Sequence, residues 1–501
     1  MIKSLIYNLP PLDKNRPPLS GAIIANVCAK QGHDCSTVDL QFELDQFLHT
    51  QCCDVSFFDD VFYEQSAGFS NEQIQFLEKF IHQHLDTIAN SKFDYIFVSL
   101  FSYLAQQFGQ IFLPILRKHT TAKIVIGGAG LIYTSNVGNL LSFGEKLKQQ
   151  NVIDEFITGE AEQSIPMYLT VGQGPGIGNY NFKQIDNLDD QPWPDYTHYN
   201  LGNYNYLGLQ ELAIIGSRGC VRSCTFCDVA KLSPKYRYRS GQNIADEIIH
   251  HYETHGITRF YFADSLVNGS FKNFDAMCNA LARYKFEQPI SWSGQYIVRS
   301  KQSTPKDHFD MLQKSGCDTL FIGLESGSDR VRKELGKPFT NDDTEYYLEN
   351  FDQNKIKVLL LMFTGYVSES EQDHAETIGM FKRWQKFVAS GTIQGIETLN
   401  ILSILPGTPL EQMAVNNNYL FLSNHKNDVN LRSWVDPTNP NYDFLARVSR
   451  HMDLMEEAIK YKWPLWNGAL AMQLYEQAVQ EFVNSPMKYK TLKTISIAAS
   501  K

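Results

Sequence analysis

Two successive alternations of short apolar runs with amphipathic segments, parted by a Gly- and Pro-rich stretch, constrain this 501-residue chain most strongly. In the first, the runs Ser4–Tyr7, Ser36–Leu40, Tyr95–Phe101, Lys123–Gly127 and Phe156–Thr158 are spaced by helix-like segments near 20–31, 72–90, 103–118 and 137–150. Strands alternating with helices imply a parallel sheet covered on both faces. Five such strands suit a flavodoxin-like, Rossmann-type domain over residues 1–170, with any ligand at the carboxyl ends of the strands. Residues 171–210 then change character, through Gly172-Gln173-Gly174-Pro175-Gly176 and Asp189-Asp190-Gln191-Pro192-Trp193-Pro194-Asp195-Tyr196. Gly and Pro disfavour regular elements, so a surface linker is expected there.

The second alternation fills residues 211–410. Its strands are expected at Leu212–Ile215, Arg259–Ala263, Ile290–Trp292, Thr319–Gly323, Lys357–Phe363 and Glu397–Ile404. Helical segments lie near 243–255, 271–284, 305–315, 341–354 and 370–389. Six β/α units predict a partial parallel barrel, with its site at the carboxyl ends of the strands. Residues 411–501 read as a helical C-terminal region, with Trp434, Trp463, Trp466 and an amphipathic stretch near 444–461. The fold class is therefore α/β throughout the first two parts, at a length that suggests about three domains.

Charge and cysteine usage narrow the setting. Lys plus Arg is 45 against 55 for Asp plus Glu, a net charge of −10. That excludes a whole-protein basic field, and no nucleic-acid partner is expected. No apolar run is long enough to span a membrane. The N-terminal run lacks the pattern of a secretory signal. Nine cysteines, an odd count, argue against a disulfide framework, so a cytoplasmic location is expected.

The chemistry is concentrated just past the first strand of the second alternation. There the chain reads Gly216-Ser217-Arg218-Gly219-Cys220-Val221-Arg222-Ser223-Cys224-Thr225-Phe226-Cys227, a Cys-x3-Cys-x2-Cys spacing. Three thiolates on one short loop can hold three irons of a 4Fe–4S cluster and leave the fourth open for chemistry. Zinc is the competing reading, but a structural zinc site wants four ligands. His250, His251, Cys278 and Cys317 are the candidates to complete it.

This spacing, with an aromatic residue before the last Cys, resembles the radical S-adenosylmethionine superfamily. The resemblance implies that Cys220, Cys224 and Cys227 bind a 4Fe–4S cluster, whose open iron is chelated by S-adenosylmethionine. It implies further contacts to that cofactor from Phe226, from Asp264 and Ser265 after the second strand, from Arg299 beyond the third, and from Glu325 and Ser326 in the Gly323-Leu324-Glu325-Ser326-Gly327-Ser328 run. The familiar Gly-Gly-Glu after the second strand is absent. Leu405-Pro406-Gly407-Thr408-Pro409-Leu410 is family-like too and is placed by the resemblance near the adenine.

Glycines at the ends of the first domain's strands let a loop approach a ligand closely. Gly127-Gly128-Ala129-Gly130 follows the fourth strand, Gly159-Glu160 the fifth, and Ser99-Leu100-Phe101-Ser102 the third. Placed before the cysteine loop, this arrangement resembles cobalamin-binding members of the same superfamily. It implies cobalamin contacts at Ser99, Ser102, Gly127, Gly128, Gly159 and Glu160. The mutase-type Asp-x-His-x-x-Gly is absent, since His33 is followed by Asp34-Cys35; many radical members hold cobalamin without it.

The reading that results is a cobalamin-dependent methyltransferase acting on an unactivated carbon through a 5′-deoxyadenosyl radical. The resemblance also implies an electron donor such as flavodoxin or ferredoxin. The substrate, whether small molecule, lipid or peptide, is not legible, and no side chain is singled out as catalytic. Two alternatives stand beside it. One is a radical cyclase, a rearrangement enzyme or a methylthiotransferase, the last needing a second cluster from Cys28, Cys35, Cys52 and Cys53. The other is a non-catalytic cobalamin- or metal-binding protein with zinc in the cysteine loop.

Overall fold

The fold is that of a computed structural model, which describes residues 2–51, 53–54, 56–58, 61, 68–88, 91–131, 142–206, 208–423, 429–467 and 489–491. The chain divides into two compact units, Met1–Ala213 and Ile214–Lys501.

The first unit runs β1 (Ile2–Asn8), α1 (Leu19–Lys30), β2 (His33–Asp39), α2 (Leu40–Thr50), α3 (Asn71–Ile88), β3 (Tyr95–Ser99), α4 (Ala105–His119), β4 (Lys123–Gly127), α5 (Phe143–Gln149), β5 (Glu155–Ile157) and α6 (Ala161–Val171). Its sheet has the order β2-β1-β3-β4-β5, parallel throughout, which is the flavodoxin-like order. The two-residue period of a strand divides its apolar side chains between two cores. Leu5, Tyr7, Ile96, Val98, Ile124 and Ile126 pack on one face. Their neighbours Ile6, Phe97 and Val125 pack on the other with Cys28 and Cys35. Each such side chain contributes about 1.5–3 kcal/mol when fully buried.

Residues 171–213 belong to this unit rather than running free between two domains. Asp195 N donates to Ala22 O at 3.0 Å, and Asn26 Nδ2 donates to Trp193 O at 2.6 Å. Tyr204 OH donates to Asp39 Oδ2 at 3.0 Å, and Asn8 Nδ2 donates to Tyr199 OH at 3.2 Å. Gly and Pro keep this segment irregular, but its aromatic side chains still seek burial with their hydroxyls partnered. Tyr196, Tyr199 and Tyr204 are all buried.

The second unit is built on the sheet order β16-β13-β12-β11-β10-β9-β6. Its strands are β6 (Glu211–Ile214), which spans the unit boundary, β9 (Arg259–Phe262), β10 (Ser291–Tyr296), β11 (Cys317–Glu325), β12 (Lys357–Thr364), β13 (Ile393–Ile401) and β16 (Leu465–Trp466). A two-stranded ribbon of β7 (Ser217–Arg218) and β8 (Arg237–Tyr238) follows β6. Helices α7 (Val229–Leu232), α8 (Gly241–His255), α9 (Phe271–Arg283), α10 (Asp307–Lys314), α11 (Asp329–Glu334), α12 (Asn341–Gln353), α13 (Glu371–Arg383) and α14 (Gln385–Ala389) fill the crossovers. The six expected strands stand in sequence order, as in a partial barrel. In β10, Trp292, Gly294 and Tyr296 are buried, while Ser291, Ser293 and Gln295 on the opposite face are only half-buried. On that more open face Tyr261 and Phe321 meet edge to face at 6.1 Å.

The C-terminal region adds a sheet to the expected helices. After α15 (Pro409–Asn416) come β14 (Leu420–Ser423), β15 (Val429–Val435), α16 (Phe444–Lys460) and, past β16, β17 (Tyr489–Thr491). β15-β14-β17 form a three-stranded antiparallel sheet. Arg447 of α16 is fully buried with its guanidinium 3.6 Å from the Trp434 ring. Among the described residues no helix is long and apolar enough to cross a membrane.

Candidate functional site

The chain leaves β6 and turns at Gly219, whose φ of +85° suits glycine alone. A Cβ there would lie 2.7 Å from Lys235 O. The cysteine loop that follows sits at the carboxyl end of β6 and is pinned by backbone bonds. Thr225 N donates to Leu335 O at 3.2 Å, and Leu410 N donates to Thr225 O at 2.9 Å. Cys224 is buried and Cys220 and Cys227 are half-buried. Arg222 N donates to Cys220 Sγ at 3.3 Å.

Burial pushes the Cys224 thiol up to about 11; the Lys337 ammonium opposes the rise, and the other two cysteines add to it. Burial also raises Cys227, against a hydrogen bond from Val229 N–H. Metal binding at such thiols must release their protons.

Glu325 closes β11 at a φ of +66°, and the β11–β12 register shifts there. Its Oε1 lies 2.6 Å from Lys337 Nζ, which also donates to Gly323 O at 2.8 Å. A Cβ on Gly323 would fall 2.4 Å from that ammonium, so a glycine is what lets the pair form. Both partners are largely buried, at 12% and 13% exposure. Cys224 feels both charges. Lys337 was missed by sequence reasoning because it stands twelve residues beyond Glu325 (337 − 325), outside any local pattern. Arg222 was also missed, though it lies within the cysteine motif; its guanidinium donates to Val298 O at 3.3 Å.

The other expected cofactor residues fare differently. Asp264 is fully enclosed, and both its oxygens are engaged by Gly216 N and Ser217 Oγ. Ser265 is half-buried beside it. Arg299 donates from one nitrogen to Asn268 O at 2.8 Å and Gly269 O at 2.9 Å, holding the loop after β9. Ser326 is buried in the turn before α11, where its hydroxyl accepts from Ser328 N and lies 3.2 Å from Thr377 Oγ1. Phe226 packs edge to face on Phe363 at 5.1 Å. Thr408 caps α15, accepting from Glu411 N.

Among the described residues the zinc reading gains no fourth ligand. Cys317 opens the nine-residue strand that Glu325 ends, so it lies roughly 26 Å from the carboxyl rim. Cys278 is buried close to Cys317, and His251 lies beside Glu247 within α8. Among the described residues no three His, Cys, Asp or Glu side chains gather as a single-ion site. Cys28 and Cys35 are free thiols packed in one hydrophobic core, and Cys52 lies outside the described residues.

In the first unit the expected cobalamin residues are mostly engaged by the protein itself. Ser99 Oγ donates to Ser20 Oγ at 3.1 Å. Gly127 and Gly128 press on neighbouring backbone rather than opening onto a cleft: a Cβ would lie 3.3 Å from Ile157 O and 2.3 Å from Leu100 O respectively. Gly159 backs onto Phe182, and Glu160 Oε2 accepts from Ile185 N at 2.6 Å. Ser102 differs: its Oγ is buried without a hydrogen-bond partner, next to Phe101, which is 65% exposed.

Against known proteins, residues 214–381 match the Radical SAM superfamily. The matched stretch takes in the cysteine loop and strands β9 to β12. An uncharacterised methyltransferase of Pyrococcus horikoshii is 24% identical over 320 residues, covering 60% of this chain and 65% of the relative. The bacteriochlorophyllide d C-12(1)-methyltransferase of Chlorobaculum tepidum is 22% identical over 268 residues, 53% of each chain. The cytidylyl-2-hydroxyethylphosphonate methyltransferase of Streptomyces wedmorensis is 26% identical over 193 residues, 35% of each. The matches thus span less than two thirds of these relatives' own lengths. Among solved structures, the fold is similar to TsrM of Kitasatospora setae, a radical S-adenosylmethionine methyltransferase with cobalamin and a 4Fe–4S cluster bound. Its TM-score is 0.61 at 15% identity, over 85% of this chain and 81% of that one. It is similar also to OxsB, a cobalamin-dependent radical enzyme, with a TM-score of 0.58 at 17% identity over 83% and 60%.

Proposed function

We propose that this protein is a radical S-adenosylmethionine methyltransferase that uses cobalamin. The observation that carries the reading is the trio Cys220, Cys224 and Cys227 on one loop at the carboxyl end of β6, inside the stretch that matches the Radical SAM superfamily. The donor set fits a cluster: three thiols, partly enclosed, with no fourth protein ligand brought to them among the described residues. When bound, the cluster with S-adenosylmethionine on its open iron supplies one-electron cleavage of the sulfonium, and cobalamin supplies the methyl carrier.

The chain's own residues do the rest. The three thiolates fix the cluster, and the burial of Cys224 keeps water from it. Lys337 offsets negative charge at Cys224 and is itself held by Glu325 and Gly323 O. For cobalamin, the unpartnered Ser102 Oγ and the exposed Phe101 are the fit at the first sheet's rim, since Gly159 and Glu160 are covered by residues 182 and 185. The relatives' names span a bacteriochlorophyllide and a cytidylyl phosphonate, so methyl transfer rather than a substrate is what they share. A small-molecule substrate and a low-potential donor such as flavodoxin or ferredoxin complete the proposal.

The test is anaerobic reconstitution with iron, sulfide and cobalamin, reduction in the presence of S-adenosylmethionine, and mass spectrometry for 5′-deoxyadenosine. Cleavage above a Cys224→Ala control is expected. Corrinoid absorbance that survives gel filtration reports the second cofactor; its absence overturns that half of the reading.

A further inference from the structure

The root of the cysteine loop is held by a buried carboxylate. Asp264 lies just past β9, wholly buried. Its Oδ2 accepts from Gly216 N at 2.9 Å, and its Oδ1 lies 2.5 Å from Ser217 Oγ. The same backbone is held from the other side: Arg239 N donates to Gly216 O at 2.8 Å, and Arg239 Nη1 donates to Ile215 O at 2.9 Å. The adjoining cavity, bordered by Ser217, Tyr236, Asp264 and Asn273, is about 10 Å³, room for no more than a water. No cofactor fits there.

A buried carboxylate is a costly way to tie down a loop. Burial lifts Asp264 to about 7, against the hydrogen bonds from Ser217 and Gly216 and the Arg239 charge. The charged and titratable groups around it are Arg239, itself paired with Glu247, and the tyrosines Tyr236 and Tyr238 that border the same cavity. A group whose native pKa lies above its unfolded value of about 3.9 makes the fold less stable as pH rises through that interval. Asp264 in its charged form therefore opposes stability, so its placement calls for a reason other than stability.

Taking the loop to be the cluster loop, as above, we infer that Asp264 is its positioning residue: it holds Gly216 N–H and Ser217 Oγ together, which sets the direction in which the chain leaves β6 toward Cys220. Ser217 Oγ also lies 3.0 Å from Leu266 O. A hydroxyl has one hydrogen, which goes to Asp264 when the acid is ionised. When Asp264 is protonated it donates to Ser217, which then donates to Leu266 O. The tie survives in either state, and Asn, with an NH2 group to donate to Ser217 and a carbonyl to accept from Gly216 N, presents the same two contacts as the protonated form.

The experiment compares wild type, Asp264→Asn, Asp264→Ala and Ser217→Ala after anaerobic reconstitution. It follows the loss of cluster absorbance to an iron chelator and the melting of each protein from pH 6 to 8.5. Asp264→Ala is expected to lose cluster about ten-fold faster, in the range seen for residues that support metal ligands. Ser217→Ala should fall between it and wild type, and serves alone if Asp264→Ala does not fold. Asp264→Asn should hold its cluster like wild type, yet melt higher at pH 8.5, with the gap closing toward pH 6. Wild-type retention in both Asp264→Ala and Ser217→Ala overturns the inference, as does an Asp264→Asn that strips as fast as the alanine. Failure of the wild type to assemble any cluster strikes the cluster reading instead.

Discussion

The two parallel sheets treat their carboxyl rims in opposite ways. In the first, residues 171–213 return to the rim, and Tyr199 and Tyr204 bond to Asn8 and Asp39 at the ends of β1 and β2. In the second, the rim after β6 and β11 carries the three thiols and the Lys337–Glu325 pair. Ligands of α/β sheets bind beyond the carboxyl ends of strands. Among the described residues, a rim so engaged by its own chain leaves the stretch near Phe101 and Ser102 to offer. A rim with three thiols sharing one loop is built for something to be added.

The sharpest way to break this contrast is Cys224→Ala, which removes one of three cluster ligands. 5′-Deoxyadenosine formation should drop to background, read by mass spectrometry, with melting of the first unit unmoved. Next in size is Gly128→Ala. Its Cβ meets Leu100 O at 2.3 Å and its φ is +112°, so a loss of about 3 kcal/mol is expected in urea unfolding. Cluster absorbance from the other unit should remain.

Lys337→Met strands Glu325 without its partner, at about 2 kcal/mol, below the roughly 3–5 of a sealed pair. It also removes the cation that restrains Cys224, so alkylation of that thiol in the metal-free protein should move to higher pH. The smallest effect is Tyr204→Phe, at about 1 kcal/mol for one hydrogen bond. Burial lifts Asp39 to about 6, against donors that include Tyr204. Asp39 therefore costs stability as pH climbs from about 4 to 6. Without Tyr204 its pKa rises further, and the decline in a pH series of unfolding should extend upward.

What the sequence made legible was local. Short apolar runs located all five strands of the first sheet and the six of the barrel, and five strands alternating with helices suited the flavodoxin-like order. The cysteine loop was visible because its residues lie within eight positions (220–227). What was not legible rests on distant partners. Tyr204 meets Asp39 across 165 residues, and no window of sequence records such a pairing. Asp264 read as a cofactor contact because it follows a strand in the right place; that its carboxylate turns back onto Gly216 depends on β6 lying beside β9. The antiparallel sheet joining β14, β15 and β17 was hidden for the same reason, since β17 lies far along the chain.

The two-residue strand β16 has a consequence out of proportion to its length. It lies along β13, where Ile396 N donates to Pro464 O at 3.0 Å, and Gly395 has no side chain because a Cβ would fall 2.3 Å from that same oxygen. A bare outer strand is a template for other chains. A protein cut before Pro464 would bare the middle of that margin, and its first symptom would be self-association in solution rather than a slower reaction.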